Sequence, residues 1–230
     1  RIRSVLRTDK RSLREFQSLL LDDLSSLGVE VLPRLLSIAN ANAQLLPSIH
    51  PDLPTAVQIL NNWNLRMEQD ATAPVIFYLW NHFFSQQSGC IPSIEMEPYY
   101  SLMNKKKELE EPCLIALADA VRYLKNDRNT IDITWGEIHR IQRGTDEYSI
   151  GGSETAGTSF LLSELPPSDR WGTITYGIGF ALVAKLGPVI ESYSIMPFGN
   201  SESIQSPHYK DQWDMFSKKQ MKKVRFYPEE

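Results

Sequence analysis

Met196-Pro197-Phe198-Gly199-Asn200-Ser201-Glu202-Ser203, then Ser206-Pro207-His208-Tyr209-Lys210-Asp211-Gln212, carries the strongest local pattern in this chain of 230 residues. The apolar, β-branched run Val189 to Met196 feeds a Gly-Asn turn. After the Ser-Pro-His-Tyr step the residues fall at helical spacing. Working back from this stretch, Phe180 to Leu186 and Thr173 to Tyr176 read as further strands, divided by Gly177, Gly179 and Gly187-Pro188. Phe160 to Leu162 and Val224 to Tyr227 are short strand candidates, and Ile131 to Ile141 is strand-like, with His139 inside it. Residues 131–230 therefore read as mainly β.

Residues 1–130 read differently. Arg11 to Asn42 is expected to be helical, with Phe16, Leu19, Leu20, Leu24 and Leu27 on one stripe and Asp23 as its one polar member. Gly28 is a candidate break, and Pro33 is expected to cap or kink a second helix. Leu45 to Pro54 is a proline-bearing connector, and Thr55 can cap the next helix. Ile76, Leu79, Trp80 and Phe83 predict one face of a long apolar helix. Leu114, Leu117, Ala118, Val121 and Leu124 predict another after Glu111-Pro112. Helices first and strands later make the fold class α+β.

Composition narrows the function. A hydrophobic fraction of 42% supports a sizeable core, and a net charge of −4 offers no basic surface for nucleic acid. No apolar run reaches the roughly 20 residues of a membrane span. Cys90 and Cys113 lack metal-ligand spacing, so a disulfide and two separate thiols both stay open. Asp211 and Asp214 read as a solvated face rather than a cation site, and Gly177-x-Gly179 has the wrong order for a phosphate loop.

Three segments, taken in order, carry a resemblance. Leu60-Asn61-Asn62-Trp63-Asn64 precedes Asp70-Ala71-Thr72-Ala73 and an aromatic helix. Trp135-Gly136-Glu137-Ile138-His139-Arg140 precedes Arg143-Gly144 and Gly151-Gly152-Ser153. Gly199-Asn200-Ser201 precedes His208-Tyr209-Lys210-Asp211-Gln212. The set resembles the penicillin acylase family of N-terminal-nucleophile hydrolases, in its acyl-homoserine-lactone and cephalosporin acylase branch. Ala71 or Thr72 stands where that family usually has Ser. The resemblance covers most of the chain and places it in the C-terminal part of the family's β chain.

The resemblance implies an αββα sandwich, with residues 131–230 completing its sheets. It also implies hydrolysis of a non-peptide amide through an acyl-enzyme on an N-terminal Ser whose own α-amine serves as base. An α-amine of pKa near ~8 within reach makes a hydroxyl a competent nucleophile. That Ser, the oxyanion Asn and the carboxylates for the family's calcium would lie outside this chain, which begins at Arg1 and reads as a piece of something longer. No catalytic residue, metal ligand or cofactor is expected within it. Arg1 or Arg3 is matched to an arginine near the substrate cleft. Trp63, Trp135, His139, Gly199, Ser201, His208, Tyr209, Asp211 and Gln212 are expected to be architectural. The implied partners are the rest of the acylase precursor and a small amide substrate, and the implied location is the bacterial periplasm or beyond.

Two other readings compete. One is a non-catalytic scaffold or binding module of the same ancestry. The other is a self-sufficient hydrolase in which His139 serves Ser153, with Glu154 as orienting acid, although no GxSxG elbow surrounds Ser153. Incomplete sheets leave open edges, so the chain is expected to need the rest of its protein or a self-associating surface.

Overall fold

A computed structural model of the chain describes residues 12–88, 107–168 and 170–225. The first helix, α1 (Leu13–Leu20), starts where Ser12 and Glu15 cap one another: the Glu15 carboxylate accepts the Ser12 amide at 2.7 Å and the Ser12 hydroxyl accepts the Glu15 amide at 3.3 Å. The chain leaves the helix at Asp22-Asp23. There Leu24 bridges Arg66, the Ser25 amide donates to the Leu65 carbonyl and the Met67 amide to that of Asp23. The break thus falls before Gly28, not at it.

Ser25 caps α2 (Ser26–Ala41), accepting the Gly28 amide at 2.8 Å and donating to the Ala156 carbonyl at 2.9 Å. Gly28 lies inside the helix because a Cβ there would stand 3.0 Å from the Trp63 ring. Pro33 also lies inside α2 rather than at a cap. The buried stripe Val31, Leu32, Leu35 and Ile38 offsets its missing N–H. Two short helices come next, α3 (Leu46–Ile49) and α4 (Leu53–Asn61), each with Pro in its first turn.

The next helix, α5 (Ala73–Ser88), is buried at every position from Ala73 to Asn81, so it runs through the core instead of presenting one apolar face. Trp63, Phe77, Trp80 and Phe84 form a ring series with centroids 5.0, 5.6 and 5.3 Å apart. It packs against α6 (Glu110–Arg128), whose inward face includes Ala116, Leu117, Ala118, Ala120, Val121 and Leu124. Alanines on that face let the two helices approach. Asn129 closes α6 in the left-handed region, at φ 58°. Among the described residues, no helix is long and apolar enough to cross a membrane.

Cys113 sits at the start of α6 as a free, fully buried thiol, its carbonyl accepting the Trp80 indole N–H at 3.1 Å. Burial pushes the thiol up to about 12. Native protein treated with iodoacetamide at mildly alkaline pH should leave Cys113 unmodified in peptide mapping. Rapid native alkylation there would contradict the packing. Cys90 lies outside the described residues.

The expected strand Ile131 to Ile141 is instead a helical turn, α7 (Trp135–Ile138), and then strand β1 (Arg140–Arg143). Glu137 drives this, because its carboxylate accepts both the Thr134 amide at 2.7 Å and the Thr134 hydroxyl at 2.8 Å. The backbone bond first, then the hydroxyl, holds the Glu137 carboxyl below the usual carboxylate range. The cap therefore contributes above the unfolded carboxylate pKa and is lost as pH falls through the lower folded value. The Thr134 amide resonance should titrate with a midpoint below that of an ordinary glutamate. A midpoint at or above it would refute the capping box.

The remaining strands are β2 (Asp146–Ser149), β3 (Leu162–Glu164), β4 (Ile174–Gly177), β5 (Ala181–Lys185), β6 (Glu191–Ile195) and β7 (Lys222–Val224), with α8 (Trp213–Ser217) before β7. Among the described residues they form antiparallel sheets ordered β1-β2, β3-β4 and β5-β6-β7. The strand expected at Phe160 to Leu162 begins only at Leu162, because the Phe160 amide is held by the Asp22 carbonyl. The last strand is described as Lys222–Val224, and Phe226 and Tyr227 of the expected strand lie outside the described residues. A second core gathers Leu21, Ile141, Ile150, Phe160, Leu162, Ala181, Ile195 and Phe216 beneath these sheets. The helical core extends into the second half of the chain through Trp135, Ile138, Ala156 and Trp171. The fold is α+β, with helices in the first half and antiparallel strands in the second.

Candidate functional site

The Trp-Gly-x-x-His segment folds around a buried polar knot. Trp135 donates its backbone N–H to the Ala71 carbonyl at 2.8 Å and its indole N–H to the Gly152 carbonyl at 3.0 Å. A Cβ on Gly136 would stand 2.9 Å from Ser149 Cβ and 3.0 Å from the Gln69 carbonyl oxygen, so glycine lets α7 seat against both. His139 stacks on the Trp135 ring, with centroids 4.7 Å apart and an interplanar angle of 18°. His139 follows α7 as an extended capping residue rather than lying within a strand.

The His139 Nδ1 lies 2.8 Å from the Ile150 carbonyl, which can only accept, so Nδ1 carries a proton. Its Nε2 faces Glu164 Oε2 at 3.5 Å, and Glu164 Oε1 accepts the Ser153 hydroxyl at 2.7 Å. The side chains of His139 and Glu164 have no exposed surface, and Ser153 is equally sealed. At 3.5 Å neither His139 Nε2 nor Glu164 Oε2 has a hydrogen-bond partner among the described residues, so the two buried atoms face one another without a bond between them. The acid here is Glu164, not Glu154, and it stands between the serine and the histidine. Ser153 gives its proton to a carboxylate and His139 never reaches the hydroxyl. This order is the wrong one for a nucleophile activated by histidine, and no solvent path leads to it. The Ser153 hydroxyl also accepts the Ala156 amide at 3.0 Å.

The Gly199 to Gln212 segment forms a closed loop. The Ser201 amide donates to the His208 carbonyl at 3.2 Å, and the Gln212 amide to the Phe198 carbonyl at 2.8 Å. Arg143, from the end of β1, donates to the carbonyls of Tyr209 and, at 2.7 Å, Ser201. Its guanidinium lies 4.1 Å from the Tyr209 ring centroid and 4.8 Å from that of Phe198. His208 Nδ1 meets Asp211 Oδ2 at 2.8 Å on the surface. Gln212 is buried and its side-chain oxygen accepts the Met196 amide at 3.3 Å. The expected helix after His208 is therefore a set of turns, and only Trp213–Ser217 is helical. Trp213 rests on Tyr148 at 4.1 Å, whose hydroxyl donates to the Pro197 carbonyl at 2.6 Å.

Trp63 closes the third segment, its indole N–H donating to the Arg66 carbonyl at 2.8 Å. Arg66 leads to a cluster that the sequence marked only through Asp23, the polar residue in an apolar stripe. Asp23 is fully buried, with Oδ1 2.6 Å from Arg66 and Oδ2 held by Lys219. Asp22 meets the same Arg66 nitrogen at 3.0 Å. Partial burial works against the Arg66 charge, but the hydrogen bonds to Asp23 and Asp22 outweigh it and raise its pKa. An open cleft of about 510 Å³ lies over these groups, walled by Ser12, Arg14 and Ser18 of the first helix.

All of residues 1–230 match the family model described as penicillin amidase. The chain belongs to the penicillin amidase family of N-terminal-nucleophile hydrolases. Its fold is similar to that of a thermostable penicillin G acylase from Alcaligenes faecalis, with a TM-score of 0.52 and 16% sequence identity. That similarity covers 98% of this chain and 48% of the acylase chain. The chain thus spans about half the length of the penicillin acylase that it matches.

Within this penicillin amidase relative, Trp135, His139 and Ser153 come together in one knot, and Gly199, Ser201, His208, Tyr209, Asp211 and Gln212 in another. Trp63 stands apart, against Gly28 and Phe77. Arg1 and Arg3 lie outside the described residues. Among the described residues no group of three His, Cys, Asp or Glu side chains could hold a metal ion. Asp211 is engaged by His208, and Asp214 by Lys218 at 2.8 Å. The bridging Glu164 was missed because nothing in Leu-Ser-Glu at a strand end distinguishes it from a solvated acid.

Proposed function

We propose that this chain is the C-terminal supporting portion of a penicillin-acylase-like amidohydrolase. The complete protein would hydrolyse a non-peptide amide through an acyl-enzyme on an N-terminal serine supplied by another segment. The observation that carries this is the Ser153–Glu164–His139 order: the most nucleophile-like grouping in the chain is sealed and wired as a structural bond. The chain's contribution would be mechanical. The α5–α6 pair and the short sheets would hold the acylase core together, and the Gly199–Gln212 loop would lock the last helix against β1 through Arg143. Substrate, oxyanion stabilisation and base would be met elsewhere. By the same resemblance the protein would work in the bacterial periplasm or outside the cell.

The test is to express the chain together with the coding sequence that precedes Arg1 and to assay amide substrates. His139→Ala and His208→Ala should lower stability more than they lower turnover per folded molecule. A variant that folds normally yet loses all turnover would overturn the supporting role. A start codon directly before Arg1 and no amide hydrolysis would favour the non-catalytic module.

A further inference from the structure

We draw no further inference here: the strongest candidate, the open cleft of about 510 Å³ between the first helix and the Asp22, Asp23, Arg66 and Lys219 cluster, carries nothing because its aspartates are already paired within the chain and nothing in the structure shows what covers it.

Discussion

Glu164→Ala should cost the protein about 1–3 kcal/mol, the range for leaving a buried hydrogen-bonding group without its partner. The change deprives the Ser153 hydroxyl of its acceptor at 2.7 Å and empties side-chain volume in a sealed site. Total stabilities of about 5–15 kcal/mol make such a loss visible as a large fall in the denaturant midpoint. Glu164→Gln keeps an acceptor for Ser153 and nearly the same volume, so it should cost less than the alanine variant, within about 1 kcal/mol of wild type. The ordering alanine, glutamine, wild type is the diagnostic result. An alanine variant within about 1 kcal/mol of wild type would mean that the knot contributes little. Under the proposed supporting role, the change should leave any amide turnover per folded molecule of the complete protein untouched.

Gly199→Ala should be destabilising by about 3 kcal/mol, at the upper end for an inserted methyl group. A Cβ at Gly199 would lie well inside contact distance of the His208 carbonyl oxygen and 2.5 Å from Asp211 Oδ1. That carbonyl belongs to the bond that closes the loop from Ser201, so it cannot simply move away. The loop should open and release the Arg143 guanidinium from the Ser201 and Tyr209 carbonyls. Gly179→Ala is the internal control, since nothing lies within 4 Å of its added Cβ. It should change stability by less than about 0.5 kcal/mol. Equal effects at the two glycines would refute the packing argument for the signature.

The division into a helical first half and a β second half was legible because it rests on periodicity, which sequence carries directly. What escaped was decided by side chains meeting across the chain. Gly28 looked like a break, yet the helix needs it against Trp63, a contact 35 positions away. Ile131 to Ile141 looked like a strand because of its β-branched residues, and one carboxylate, Glu137, turned part of it into helix. His139 and Ser153 were visible as a pair worth weighing. Their connection through Glu164 was not, because Glu164 lies 11 positions on from Ser153 and is brought back by a turn closed by the Glu154 amide on the Leu162 carbonyl. Asp23 was legible as an anomaly in an apolar stripe, and the structure supplies its reason in Arg66 and Lys219. The His208-Tyr209 segment kept its pattern but not its expected helix, since its backbone groups are spent on closing the loop with Phe198 and Ser201.

The central claim is that none of these residues carries the acyl group. The most direct measurement is an intact and peptide-level mass spectrum after incubation with phenylmethylsulfonyl fluoride, a reagent that sulfonylates activated serines. The account predicts no adduct on any serine of residues 1–230, Ser153 included, and an adduct on an N-terminal serine of another segment when the complete acylase is treated. An adduct on Ser153, or on any other serine of this chain, would contradict it and place the chemistry inside the chain itself.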